Sequence, residues 1–138
     1  MHGAPRHEDM ANKTIPVFVE SRYKVNRKRV VAALSELLDK QDIQRDVEVS
    51  VAVVGDRKMR ELNKKYRGKD TTTNVLSFSL SEGDASVMPN DVLRLGDIVV
   101  SYPEIIREAA AEDMLVDDKV DELVAHGLLH LLGIHHEE

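Results

Sequence analysis

The feature that most constrains this chain is its last stretch, His126-Gly127-Leu128-Leu129-His130-Leu131-Leu132-Gly133-Ile134-His135-His136. Four of the six histidines fall within these eleven residues. His126 and His130 are four positions apart, so on a helix they share one face and can grip one ion. Gly133 stands where such a helix must stop and turn through a left-handed residue. His136 follows six residues after His130, within reach of the same ion. Three neutral imidazoles with an open fourth position describe a catalytic zinc site better than a structural one, and the ligand type favours one zinc ion per chain. Val120, Leu123, Val124, Leu128, Leu129, Leu131 and Leu132 make the same helix apolar over much of its surface. Such a helix is expected to be central and buried, with a metal satisfying two imidazoles that would otherwise lack partners.

The spacing is similar to the metzincin peptidase pattern H-E-x-x-H-x-x-G-x-x-H. The glutamate that acts as general base in that pattern is replaced here by Gly127. The residues therefore describe a hydrolytic metal site without the peptidase's base.

At 138 residues the chain fits one domain with one core. Residues 14–138 are expected to form it, behind a flexible polar tail over 1–13 in which His2 and His7 read as tag or tail residues. There are no cysteines, which excludes disulfides and thiolate metal sites and suits a cytoplasmic setting. No apolar run approaches the length of a membrane span and no signal-peptide pattern opens the chain, so no membrane partner is expected. The formal charge of −6 argues against a general nucleic-acid coat protein. The charge is uneven, however. Arg57, Lys58, Arg60, Lys64, Lys65, Arg67 and Lys69 crowd one stretch, and Arg22, Lys24, Arg27, Lys28 and Arg29 another. Such patches can hold a phosphate chain locally.

The pattern predicts a strand over 14–20 and a helix capped by Asn26, running to about Asp39 with Val30, Val31, Leu34, Leu37 and Leu38 inward. A strand over 47–54 follows, then a helix capped by Asp56 with Met59 and Leu62 inward. Residues 67–73 read as a loop, 74–79 as a strand, 81–92 as an acidic loop and 95–101 as a strand. Pro103 opens a helix to about Glu112, and Asp117 or Asp118 caps the histidine helix. The order predicts an α+β domain with a small mixed four-stranded sheet packed with helices, the last of them metal-binding.

Three ordered blocks make the chain resemble the YbeY family of metal-dependent endoribonucleases, bacterial factors in ribosomal RNA maturation. His126 to His136 matches the pattern H-G-x-L-H-L-x-G-y-D-H except at His135, where that family usually has aspartate. Asn63 to Phe78 matches N-x-x-Y-R-x-x-D-x-x-T-[DN]-V-L-S-F, and Leu95 to Ser101 matches L-G-D-I-x-x-S. The family proline before the threonine is Thr72 here, which is expected to loosen that loop. His136 stands two residues from Glu138, so it is expected to contribute least to metal affinity.

A zinc ion on three imidazoles lowers the pKa of its water to about 7 and acts as a Lewis acid on a phosphoryl oxygen. Either role suits phosphodiester cleavage. The charge that gathers in its transition state needs a further cation, and Arg67 is the candidate, because its planar fork holds phosphate oxygens in bidentate fashion. The resemblance also assigns the matching arginine to catalysis. Lys64, Lys65 and Lys69 are candidates for the RNA backbone, and Ser77 and Phe78 for substrate contact. His135 and Asp97 are candidates for orienting a ligand, although Asp97 also reads as a residue that fixes a strand end. The resemblance implies a zinc-dependent endoribonuclease that prefers single strands, with ribosomal RNA and the ribosome or its small subunit as partners. The competing readings are a metzincin-like metallopeptidase and a ribosome-associated binding factor whose metal only staples the C-terminus.

Overall fold

The computed structural model describes residues 11–80 and 92–134. The elements are β1 (Lys13–Thr14), β2 (Val17–Val19), α1 (Arg27–Lys40), β3 (Val47–Val54), α2 (Asp56–Arg67), β4 (Val75–Ser79), β5 (Leu93–Ser101), α3 (Tyr102–Glu112) and α4 (Val116–Leu131). They form the expected α+β domain around a mixed sheet. Most of the segment read as an acidic loop (81–91) and of the N-terminal tail (1–10) lies outside the described residues, as do His135 and His136.

The sheet order is β1-β3-β5-β4, with β2 also on β3. β1, β2 and β5 pair parallel with β3, and β4 closes the far side antiparallel to β5. The strand expected over 14–20 is two short pieces, which makes the sheet five-stranded on four passes of the chain. Pro16 causes the break. It has no N–H for the ladder, although its carbonyl still accepts from the Val51 N–H at 2.9 Å. Pairing begins one residue earlier than expected, where the Asn12 carbonyl accepts from the Val47 N–H at 3.0 Å.

β3 is the centre of the sheet. Val47, Val49, Val51 and Val53 are at most 1% exposed and point to one face. Burying each contributes about 1.5–3 kcal/mol relative to leaving it in water, so a one-residue slip that turned all four outward is strongly disfavoured. Ile98 and Val100 of β5 join this larger core, which lies beneath α1 and α4. Val99 points the other way, into a smaller core with Val54, Met59 and Leu76 under α2.

α1 starts as expected, with Asn26 Oδ1 accepting from the Arg29 N–H at 3.1 Å. The two acidic caps turn out differently. Gly55, not Asp56, is the N-cap of α2, and Leu115, not Asp117 or Asp118, is the N-cap of α4. Each aspartate instead sits in the first turn, where the helix dipole favours an acid, and each is drawn to an arginine from another element. Arg29 pairs with Asp118 and with Asp121, the latter at 2.7 Å, and so ties α1 to α4. Ser101 caps α3 by accepting from the Glu104 N–H at 3.2 Å.

The placement of α4 rests on Gly127. A Cβ added there would stand 2.7 Å from Ile98 Cγ2 and 3.2 Å from Ile98 Cγ1. Ile98 is wholly buried and β-branched, so it cannot swing aside. The missing side chain lets the helix backbone rest directly on β5. Elsewhere in a helix interior, glycine is about 1 kcal/mol worse than alanine. Here the order should invert: Gly127→Ala should lose roughly 1–3 kcal/mol in chemical denaturation despite its better propensity. A variant as stable as the parent would show that this contact does not set the helix–sheet distance.

Candidate functional site

α4 brings His126 and His130 to one face, with ring centroids 4.7 Å apart and ring planes inclined at 38°. Both are exposed. The expectation that they would be buried is therefore corrected: the leucines and valines of α4 take the core side and the histidines take the open side. Facing them across a cleft of about 390 Å³ is the chain from Thr73 to Ser77, and Arg67 also lines the cleft. The structure thus gathers Arg67, Ser77, His126 and His130 around one space.

Arg67 is the last residue of α2, not part of the loop assigned to it from the sequence. Gly68 turns left-handed at φ 71°, its N–H donating to the Lys64 carbonyl at 3.1 Å, and the Lys69 N–H reaches the Asn63 carbonyl at 3.3 Å. Asn63 is 2% exposed, and its Nδ2 donates to the Thr71 carbonyl at 2.9 Å. These bonds fold the loop back beneath the end of α2. A cation is favoured at that end, where free carbonyls gather.

The loop is pinned further where looseness was expected. Thr72 Oγ1 donates to Asp56 Oδ1 at 3.1 Å, so a hydroxyl holds the position that a proline would have stiffened. Asp56 also accepts from Ser101 Oγ at 3.0 Å and from Arg107 Nη2 at 2.9 Å. Partial burial pushes the Asp56 carboxyl up, but the bonds from Arg107, Ser101 and Thr72 outweigh it and hold the group below the usual aspartate range.

Two residues farther on, Asn74 enters the cleft wall. Its Nδ2 donates to both carboxylate oxygens of Glu108 on α3, at 3.1 and 3.3 Å. Glu108 lies 3.6 Å from Lys119 Nζ, which also pairs with Glu112 at 2.8 Å and Glu122 at 3.2 Å. Lys119 is 2% exposed between α3 and α4. Its bond to Glu112 raises its pKa, burial opposes this, and Glu122 adds to the rise. The reading of the sequence assigned no role to Asn74, Glu108 or Lys119. The one available signal was the place of Asn74 between Arg67 and Ser77.

Several other candidates stand elsewhere. Phe78 points to the α2 side of the sheet, where it packs in the smaller core and edge-on to Tyr66 at 5.0 Å. Asp97 pairs with Phe78 in register and hydrogen-bonds Ser50, so it lies on the face away from α4 and orients neither His126 nor His130. Lys64 lines a separate cleft of about 680 Å³ with Arg57, Arg60 and Asp70. Lys65 lies over the Tyr66 ring at 5.2 Å, and Lys69 is exposed beyond Gly68.

The histidine pair fits two ligands of one ion, since both imidazoles share a helix face and open to the same cleft. His136, the third ligand read from the sequence, and His135 lie outside the described residues. Among the described residues no group of three or more histidine or acidic side chains is placed to hold a metal. Gly133 is left-handed at φ 80°, as its place after the helix requires. The position of the metzincin base is closed to any side chain, because Gly127 touches Ile98.

A helix-backed sheet thus carries paired histidines that share one cleft with an arginine. Residues 12–138 match the family model for endoribonuclease YbeY. The chain is 40% identical over 118 residues to the endoribonuclease YbeY of Syntrophus aciditrophicus, spanning 86% of this chain and 72% of that protein. It is 35% identical to the Thermodesulfovibrio yellowstonii endoribonuclease YbeY, spanning 94% of this chain and 83% of that protein. The solution structure of TM1509 from Thermotoga maritima superposes with a TM-score of 0.59 at 30% identity, over 90% of this chain and 75% of that one. The chain belongs to the YbeY family.

The Asp56 node makes the fold acid-sensitive. A carboxyl held below its unfolded value stabilises the protein above that value, near pH 4, and loses the contribution as pH falls through the folded pKa. Asp56→Asn should therefore melt below the parent at pH 6, with the gap closing as pH falls below about 4. A gap of constant size down that range would show that the charge of Asp56 does not hold the loop.

Proposed function

We propose that the chain is a zinc-dependent endoribonuclease that prefers single strands and acts in ribosomal RNA maturation and ribosome quality control. Family membership supplies the endoribonuclease class. The observation that carries the rest is the convergence of Arg67, Ser77, His126 and His130 on one cleft. Ribosomal RNA and the ribosome or its small subunit are the proposed partners. No helix among the described residues is long and apolar enough to cross a membrane.

His126 and His130, with His136, would hold the ion, and zinc suits a set of neutral imidazoles. Zinc held there would supply Lewis acidity and would lower the pKa of an oxygen nucleophile, whether water or the RNA 2′-hydroxyl. The chain's own residues do the remaining work. Arg67 stands on a rigid helix end, where its fork can hold two phosphoryl oxygens and meet the charge that develops on them. The Ser77 hydroxyl can donate to a phosphate oxygen or accept from a sugar hydroxyl. The peptidase reading is disfavoured because the backbone contact at Gly127 leaves no room for its general base. The lysines that stand away from the cleft would meet the strand outside it, on the basic face of α2.

Two tests follow. His130→Ala should abolish stoichiometric zinc in elemental analysis while the fold stays intact, because His130 is exposed; full zinc in the variant would refute the ligand set. Retained RNA binding without zinc-dependent cleavage in the parent would favour the binding-factor reading. Arg67→Lys keeps the charge and loses the fork. It should slow single-turnover cleavage of a single-stranded RNA by roughly 10²-fold or more, with zinc content and melting temperature near the parent's. A parental rate would remove Arg67 from the chemistry.

A further inference from the structure

Asn74 is the polar side chain of the cleft whose chemistry the arrangement restricts most. An amide ordinarily offers a donor end and an acceptor end. Glu108 is a carboxylate and only accepts, so the Asn74 amide must turn its Nδ2 to it, whichever way the amide is drawn. Both carboxylate oxygens lie on one side of Nδ2, at 3.1 and 3.3 Å, and share one of its two hydrogens. Glu108 is itself held by the buried ammonium of Lys119 at 3.6 Å, so the lock is backed by a second charge. The Asn74 backbone carbonyl accepts from the Ser101 N–H at 3.0 Å. Oδ1 and the second Nδ2 hydrogen remain to a side chain that lines the cleft, and of the two only Oδ1 needs a donor from its partner.

An acceptor beside a phosphodiester site has few possible partners. Phosphate and ester oxygens are acceptors too, and would be repelled. Along a sugar–phosphate chain the only hydrogen-bond donor is the ribose 2′-hydroxyl, and DNA has none. Resting on the endoribonuclease reading, we propose that Asn74 is a specificity-determining residue: its Oδ1, aimed by Glu108 and Lys119, accepts from the 2′-hydroxyl of a nucleotide in the cleft. Arg67 would take the phosphate and Asn74 the sugar, so that ribose and not deoxyribose seats correctly against His126 and His130.

The test is equilibrium binding of the zinc-loaded protein at 4 °C to two fluorescent single strands of one sequence, one all-ribose and one all-deoxy, with strand integrity checked on a gel. The parent should bind the ribose strand more tightly. Asn74→Ala should weaken ribose binding by about threefold to tenfold, the worth of one hydrogen bond, and leave deoxy binding unchanged. Glu108→Gln keeps the Asn74 oxygen but can itself donate to it, freeing the amide to turn over; it should reduce the preference partially. Melting curves establish that each variant is folded. A ribose preference that survives Asn74→Ala overturns the proposal and leaves the endoribonuclease reading standing. Equal weakening for both strands also overturns it, and assigns Asn74 to a base or a phosphate that the two strands share. A parent that neither prefers nor cleaves the ribose strand refutes the endoribonuclease reading itself.

Discussion

The site depends on one contact, the seating of α4 against β5 through the bare backbone of Gly127 on Ile98. That contact sets how far the histidine face of α4 stands from the strand that follows Arg67. It also decides which chemistry the helix can carry. A side chain at this position would wedge the helix outward and widen the cleft, so close packing and a general base between the two histidines exclude each other. The fold resolves the conflict in favour of packing, and the charged side chain that lines the opposite wall is Arg67.

That opposite wall is held by α3. Arg107 grips Asp56, which holds Thr72, and the next residue, Glu108, grips Asn74. Two consecutive residues of one helix therefore fasten the loop and strand start between Arg67 and Ser77 at two points. The same helix is joined to α4 through Lys119 and its three glutamates. A buried ammonium among carboxylates adds little net stability, because desolvation offsets much of the attraction. Its value is geometric: it fixes α3 against the helix that carries the histidines. Both walls of the cleft are thus referred to a single element that contributes no side chain to the chemistry.

Much of this could be read from the residues. The alternation of valines in β3, the apolar stripe of α4, the Asn26 cap and the turn at Gly133 follow from local rules, and the structure agrees with each. The histidine spacing put His126 and His130 on one face because it needs only helical geometry, and the structure agrees. The failures share a cause. Asp56, Asp117 and Asp118 have good capping chemistry, yet arginines distant in sequence compete for them and prevail. Arg67 was read as a loop residue because Gly68 and Asp70 follow it, and the helix runs one residue further before Gly68 ends it. The histidines were expected inside because the helix is rich in leucine, but composition does not say which stripe faces in. Phe78 reads as a site residue because it follows the arginine loop, and Asp97 as one that could orient a histidine, whereas strand alternation sends both to the opposite face. Asn74, Glu108 and Lys119 come together only in three dimensions, and no local pattern announces them.

Pro16 has a consequence beyond dividing one strand into two. The border of the sheet formed by β1 and β2 is two short ladders separated by a residue that cannot donate. A long, unbroken border of this kind is a template on which a further extended chain can grow. The Pro16 carbonyl bonds Val51, so the missing N–H also faces β3 and the gap lies within the ladder; what blunts the outer border is its brevity, with pieces of two and three residues. An imino acid that weakens the ladder on its inner side thus leaves a border too short to serve as a template on its outer side.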